Sequence, residues 1–176
     1  MSQRAPIPYE FLPPVASLTV ESDEIVHLQR LPREQVADAT GLDGRNQSPQ
    51  LRWSGAPDET ESYAVTCFDP DAPTGSGFWH WVLYNLPKEI HELPSGAGSG
   101  RADLPRGAKH ARNDGNVLGY SGAAPPPGPE HRYIFAVHAL KVSKLELPID
   151  ASPAAVGFNL TMNTIARGLV ITTFGR

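Results

Sequence analysis

Two aspartates lie in a proline-rich segment between two apolar runs of the chain. Residues 67–87 read CFDPDAPTGSGFWHWVLYNLP, and Asp69 and Asp71 close the first run. Strands disfavour Asp and Pro, so these residues predict a turn in which an aspartate accepts hydrogen bonds from nearby backbone amides. They are also candidate binding residues, because side chains that end a strand lie beside the ends of neighbouring strands. The residues alone leave both interpretations open.

Two histidines could complete such a site. His80 lies in the second apolar run, and His131 opens a later run directly after the glycine- and proline-rich segment GAAPPPGPE. Tyr133 follows two residues later, so its side chain and that of His131 project from the same strand face. The turn before His131 can present backbone amides, especially near Gly128. Because a carboxylate stabilises a charged histidine, we expect one of the two aspartates to hydrogen-bond to His80.

Other chemistries use the same residue types. Two aspartates and two histidines could bind a metal, but their spacing matches no compact metal motif. A nucleophilic triad is not indicated, since the chain has no G-x-S-x-G segment and its single cysteine, Cys67, lies within an apolar run. We expect Cys67 and His138 to be buried core residues and Arg132 to be a structural ion-pair partner.

Three strong strands should position the candidate site. They are SYAVTCFDPD, GFWHWVLYNLP and HRYIFAVHALKV, and the segments ASLTVESDEI and QLRWSGAP predict shorter strands. The first of the three is apolar on both faces, which predicts a central position in a sheet covered on both sides. The long segment between the second and third is typical of a functional loop.

The pattern changes near the C-terminus. Ser152 followed by Pro153 is typical of a helix start, and we predict one main helix over residues 153–168. The apolar residues of this segment recur at helical spacing and should face the core; they are Ala155, Phe158, Met162 and Ile165. Strands followed by one helix predict a mainly all-β fold.

Composition excludes several classes of protein. The 176 residues are 40% hydrophobic and 19% charged, which suits a single globular domain spanning residues 1–176. The net charge of −4 argues against a nucleic-acid partner. No stretch approaches the roughly 20 apolar residues of a membrane span, so we expect no integral membrane association. One cysteine and no secretory signal favour the cytoplasm.

The ordered motifs resemble a known family. DPDAP, then FWHW, then PPPG leading into HRYIF are similar to the phosphatidylethanolamine-binding protein family, in its bacterial and archaeal Raf-kinase-inhibitor-like branch. The resemblance covers residues 15–174. It implies an antiparallel β-sandwich with Greek-key connections and one main helix near the C-terminus.

The resemblance also implies a small surface pocket for phosphate, a carboxylate or a phospholipid head group, with no cofactor. Its residues, carried over by motif, are Asp69, Asp71, His80, His131 and Tyr133. The family commonly has a cis peptide after the second acid, which here is Ala72–Pro73.

Three functions remain open at this stage. The first is a binding module for a small anionic ligand, and the second is a hydrolase that uses the Asp/His pocket. The third is an interaction protein that inhibits a kinase or protease, with a protein partner that the sequence does not identify. Bacterial relatives tend to dimerise, which implies a homodimer.

Overall fold

The strands of the protein form two β-sheets. The computed structural model describes residues 4–39 and 41–176. Within them the strands are β1 (Ala16–Ser17), β2 (Thr19–Glu21), β3 (Leu51–Ser54), β4 (Ser62–Asp69), β5 (Phe78–Pro87), β6 (Glu92–Leu93), β7 (Lys109–His110), β8 (His131–Leu140) and β9 (Thr164–Phe174). The α-helix is α1 (Pro153–Asn163), and short 3-10 turns span Pro8–Glu10, Arg33–Gln35 and Ala97–Ser99.

The larger sheet has six strands in the order β1-β9-β8-β4-β5-β7, and the smaller has the order β2-β3-β6. The mainly β fold with one α-helix and the central position of β4 are confirmed. The three strands predicted as strong pair antiparallel as expected, but β1 pairs with β9 in parallel, so the large sheet is mixed rather than antiparallel throughout. The predicted first strand splits at Leu18, so that β1 joins the large sheet and β2 the small one. The Greek-key connection order stays a prediction.

The large sheet is covered by apolar residues on both faces. Tyr63, Val65 and Cys67 of β4 pack toward the small sheet, in one core cluster with Leu51 and Trp53 of β3. Alternate residues of the same strand reach the other face, where the second cluster lies against α1. The second cluster contains Ala64, Val82, Tyr84, Leu140, Val156 and Leu160. Cys67 is buried as predicted, and burial raises the pKa of its thiol well above the ordinary value.

The helix is shorter than the sequence pattern predicts. Ser152 caps α1 as expected, since its hydroxyl accepts a hydrogen bond from the amide of Ala155 at 3.2 Å. The helix nevertheless ends at Asn163, and its buried residues are Pro153, Val156 and Leu160. The predicted inward face is wrong, because Phe158 and Met162 are 67% and 59% exposed.

The segment after α1 is a strand that the sequence analysis missed. Residues 164–174 form β9, which pairs along its length with β8. Ile165, predicted to lie on the helix, belongs to this strand. Inward and outward positions alternate from residue 164 to residue 170, with a period of two rather than the helical period. Pairing with a buried strand therefore overrides the helical spacing that the same apolar residues also satisfy.

None of the helices in the described part of the chain is both apolar enough and long enough to cross a bilayer.

His138 of β8 is the buried core histidine that the sequence predicted. Its Nε2 lies 3.3 Å from the Thr66 hydroxyl, and the Arg167 Nε–H donates to its Nδ1 at 3.4 Å. The Tyr9 ring packs edge-on against the imidazole. Burial, assisted by the Arg167 charge, lowers the pKa of His138 to about 3. The folded protein therefore keeps this ring neutral under conditions in which an exposed histidine is charged.

This histidine should make the protein sensitive to acid. Below the ordinary histidine pKa of about 6.5, the unfolded chain binds a proton at residue 138 that the folded protein rejects until about pH 3. The free energy of unfolding should therefore fall with decreasing pH across this window, by up to about 1.4 kcal/mol per pH unit from this group. Urea unfolding at several pH values should give a shallower dependence for His138→Gln than for the wild type. His27→Gln, at an exposed histidine, serves as the control. Parallel curves for His138→Gln and the wild type would contradict this assignment.

Candidate functional site

Three strand ends meet at one edge of the large sheet. The end of β4 lies beside the start of β5, with Asp69 opposite Phe78 in the register. It also lies beside the start of β8, where Phe68 is paired with Ile134. Because both pairings are antiparallel, residues from distant parts of the sequence converge there. Asp69 and His131, 62 positions apart, come into direct contact.

A cavity of about 730 Å³ opens at this edge. Of the predicted site residues, Asp69, His80, His131 and Tyr133 line it, and Asp71 and Gly128 do not. The turn after β4 and the segment before β8 form much of the remaining wall. The other lining residues are Ala37, Asp38, Asn46, Ala72, Pro73, Thr74, Phe78, Arg101, Gly115, Val117, Ser121, Gly122, Ala124, Pro125 and Pro126.

Asp69 holds His131. Its Oδ2 accepts a hydrogen bond from the His131 Nδ1–H at 2.8 Å, and both side chains are buried. Its Oδ1 accepts from the backbone amide of Asp71 at 2.8 Å, so Asp69 also ties its own turn. The carboxylate fixes the tautomer of the imidazole, and a second proton on His131 would therefore sit on Nε2. Within the described residues, that nitrogen has no hydrogen-bond partner.

His80 has a different partner from the one we expected. Its Nδ1–H donates to the carbonyl oxygen of Ser121 at 2.8 Å, and not to an aspartate as we expected. Burial lowers its pKa, and the nearby His131 acts in the same direction. The Ser121 carbonyl, Asp69 and Asp114 oppose this shift without reversing it. His80 is therefore held neutral, and its Nε2 carries a lone pair with no partner in the described part of the chain.

Tyr133 adds a hydrogen-bond donor beside the two histidines. Its ring contacts the His80 ring edge-on, with centroids 5.1 Å apart. Its hydroxyl is buried and has no hydrogen-bond partner. Burial raises the pKa of Tyr133, with Asp69 acting in the same direction, so the phenol keeps its proton. A buried polar group without a partner costs about 1–3 kcal/mol, which a ligand oxygen reaching this hydroxyl would recover.

Asp71 supports the structure instead of facing the cavity. Its carboxylate accepts hydrogen bonds from Nε and Nη2 of Arg132 at 2.7 Å each, and from the Arg132 backbone amide at 2.9 Å. Burial alone would raise the pKa of Asp71, but these bonds to Arg132 outweigh it and the pKa is lowered. The prediction of Arg132 as a structural ion-pair partner is confirmed. We expected Asp71 at the cavity, but it lies in this ion pair instead.

The turn after β4 closes without a cis peptide. No peptide bond among the described residues is cis, so the prediction for Ala72–Pro73 is wrong. The amide of Thr74 donates to the carbonyl of Ala72 at 2.7 Å, which makes a tight three-residue turn centred on Pro73. Gly77 then adopts φ +71°, and a Cβ there would come within 2.4 Å of the Phe68 ring. A trans proline and this glycine thus supply the reversal.

The sequence analysis singled out the long loop before β8 but missed Ser121 and Asn113 within it. Asn113 organises this loop: its side-chain amide donates to the carbonyls of His80 and Gly119 and to the Ser121 hydroxyl. The signal was the turn-forming run RNDGN at residues 112–116. The amide of Ser121 donates to the His80 carbonyl and that of Gly122 to Asn46, so neither is free for an anion.

No three His, Cys, Asp or Glu side chains cluster in a way that could hold a metal ion, as far as residues 4–39 and 41–176 are concerned.

Comparisons with known proteins agree on one family. The sequence model described as phosphatidylethanolamine-binding protein matches residues 21–175. UPF0098 protein YbhB of Escherichia coli is 46% identical over 153 residues, covering 87% of this chain and 97% of YbhB. The crystal structure of E. coli YbcL, described as a member of the mammalian PEBP family, superposes with a TM-score of 0.86 at 43% identity. That superposition covers 92% of this chain and 99% of YbcL.

The two aspartates should differ in their effect on stability. Asp71→Ala leaves the largely buried Arg132 without its carboxylate and should lower the free energy of unfolding by about 3 kcal/mol or more. Asp23→Ala, which removes an exposed partner of Arg52, should cost less than about 1 kcal/mol. Urea denaturation of both variants measures the difference. Equal losses in the two variants would show that the Asp71–Arg132 pair has no special structural role.

Proposed function

The chain belongs to the phosphatidylethanolamine-binding protein family, and we propose that its cavity binds a small anionic group: phosphate, a carboxylate or a phospholipid head group. The observation that carries this proposal is the hydrogen bond between Asp69 and His131. It orients a histidine whose free nitrogen becomes a donor on protonation. The buried hydroxyl of Tyr133, which lacks a partner, adds a second donor. The proposal assigns no reaction to the site.

An anion must be held despite the carboxylates of the cavity. Asp69 and Asp38 are negative, whereas Arg101 and protonated His131 are positive. Asp69 lies 2.8 Å from His131, and with protonated His131 it forms a pair without net charge. The remaining His131 Nε2–H and the Tyr133 O–H can then donate to ligand oxygens. Charge-assisted donation of this kind is stronger than a neutral hydrogen bond.

Neutral His80 favours ligands that bring their own proton. Its Nε2 can only accept, because Nδ1 donates to Ser121 and burial disfavours a second proton. An O–H of hydrogen phosphate, or an N–H of a head group, can donate to this lone pair. Sulfate has no proton to offer, so it would leave His80 unpaired. Sites built around such a polar contact discriminate against ligands that lack it.

Binding of a small anion should depend on the side chain of His131. Asp69 orients this imidazole, and its ring lines the cavity beside the buried hydroxyl of Tyr133. Titration calorimetry with acetate should therefore show that His131→Ala binds about tenfold or more weakly than the wild type. His91→Ala, at an exposed histidine outside the cavity, should bind acetate as the wild type does. Equal affinities of His131→Ala and the wild type would refute the role of His131.

The lone pair of His80 makes a separate prediction about selectivity. The wild type should prefer phosphate over sulfate by about tenfold or more. His80→Phe cannot accept a hydrogen bond and should lose most of this preference. Tyr133→Phe is the matched comparison, because the hydroxyl donates equally well to either anion. It should weaken both ligands and leave their ratio unchanged. Competition calorimetry gives the ratios, and a preference that survives in His80→Phe would count against the neutral histidine.

A further inference from the structure

A second cavity lies on the opposite face of the large sheet. It has a volume of about 460 Å³ and is enclosed by the N-terminal segment, α1 and the strands. Along β4 and β5 the side chains alternate between the two cavities, with Phe68 and Trp79 here and Asp69 and His80 at the first. The other lining residues are Pro8, Tyr9, Leu12, Ser76, Asp114, His138, Ala154, Gly157, Leu160, Thr161 and Arg167.

Arg167 lies at this cavity without an anionic partner among the described residues. Its Nε–H donates to His138 Nδ1 at 3.4 Å, and its Cζ lies over the Tyr9 ring, 4.6 Å from the centroid. Its two terminal nitrogens make no hydrogen bond, and no carboxylate lies within 4.0 Å of it, in the part of the chain that the structure describes. The guanidinium is half-buried, and burial lowers its pKa without making deprotonation accessible.

The surroundings leave this positive charge uncompensated. Burial keeps His138 neutral, and burial also raises the pKa of Tyr9, so neither ring provides a negative charge. The one carboxylate of the cavity is that of exposed Asp114, which accepts from the Trp79 amide beside β5. β4 and β8 separate β5 from the strand of Arg167. At about 4.8 Å per strand, the backbone of β5, beside which Asp114 lies, is about 14 Å from that of β9, which carries Arg167.

The remaining walls are mainly apolar. Phe68, Trp79, Leu12 and Leu160 supply aromatic and aliphatic surface. Phe158, which is 67% exposed, is one helical turn from the lining residues 154 and 161 and extends this surface outward. The cavity therefore combines one cation, with its terminal N–H groups free, and an apolar interior.

We propose that this second cavity binds an amphipathic carboxylate. Its carboxylate group pairs with the two terminal nitrogens of Arg167, and its apolar chain lies between α1 and the sheet. A planar guanidinium with two free nitrogens matches the two oxygens of a carboxylate. A single cation favours a monoanion over a dianion such as hydrogen phosphate. The site is independent of the function proposed for the first cavity, because the two share no lining residue.

Octanoate is the probe for this site, and titration calorimetry is the measurement. The wild type should bind octanoate more tightly than the uncharged octanol, since only the carboxylate pairs with the guanidinium. Arg167→Gln should weaken octanoate by about tenfold or more and leave octanol little changed. Arg52→Gln is the control at an exposed arginine and should bind octanoate as the wild type does. His131→Ala, at the first cavity, should retain the octanoate binding that Arg167→Gln loses.

A second variant blocks the cavity and leaves Arg167 intact. A Cβ at Gly157 would lie 3.4 Å from the Trp79 ring, so Gly157→Leu directs its side chain into the cavity. Replacing a helix-interior glycine also favours the helix, and the variant should therefore fold. It should lose octanoate and octanol binding together. The proposal is overturned if octanoate does not bind, if it binds Arg167→Gln as tightly as the wild type, or if His131→Ala abolishes its binding.

Discussion

The hydrogen bond between Asp69 and His131 joins the end of β4 to the start of β8, and the chemistry of the first cavity depends on it. It fixes which nitrogen of His131 is free to face the cavity. The antiparallel pairing of β4 with both neighbours is what makes this contact possible. The same pairing brings His80 and Tyr133 to the cavity from the adjacent strands. An ordinary sheet register thereby assembles a site from residues far apart in sequence.

The two aspartates of the DPDAP segment have different roles, which their residue type alone does not distinguish. Asp69 acts at the cavity, whereas Asp71 holds Arg132 through three hydrogen bonds and secures the turn against β8. Both interpretations of the segment are therefore partly right, since Asp69 also accepts from its own turn's backbone. Pro73 contributes to a tight turn in the trans form. The alternation of side chains along β4 and β5 then gives the sheet two faces, with a polar cavity on one and a largely apolar one on the other.

The sequence alone predicts structure correctly where one hydrophobic period dominates a segment. The two apolar faces of β4 predicted a central strand, and the parity of His131 and Tyr133 placed both at the same cavity. It was insufficient where the outcome depends on contacts distant in sequence. Ile165 of β9 continues the helical spacing of α1, but pairing with β8 makes its segment a strand. Which aspartate would meet which histidine depends on side-chain directions within a turn. The Ser121 loop is set by Asn113, whose contacts no spacing rule encodes.

The protonation states of the two histidines test this account most directly. Nitrogen-15 NMR can report which ring nitrogens of His80 and His131 carry protons as the pH is lowered from about 8 to about 6. The account predicts that His80 stays neutral with its proton on Nδ1, because burial lowers its pKa and Nδ1 donates to Ser121. It also predicts that Nδ1 of His131 carries the proton that faces Asp69. Asp69→Asn should leave the tautomer of His80 unchanged. Protonation of His80 within this pH range, or a change of its tautomer in Asp69→Asn, would contradict the account.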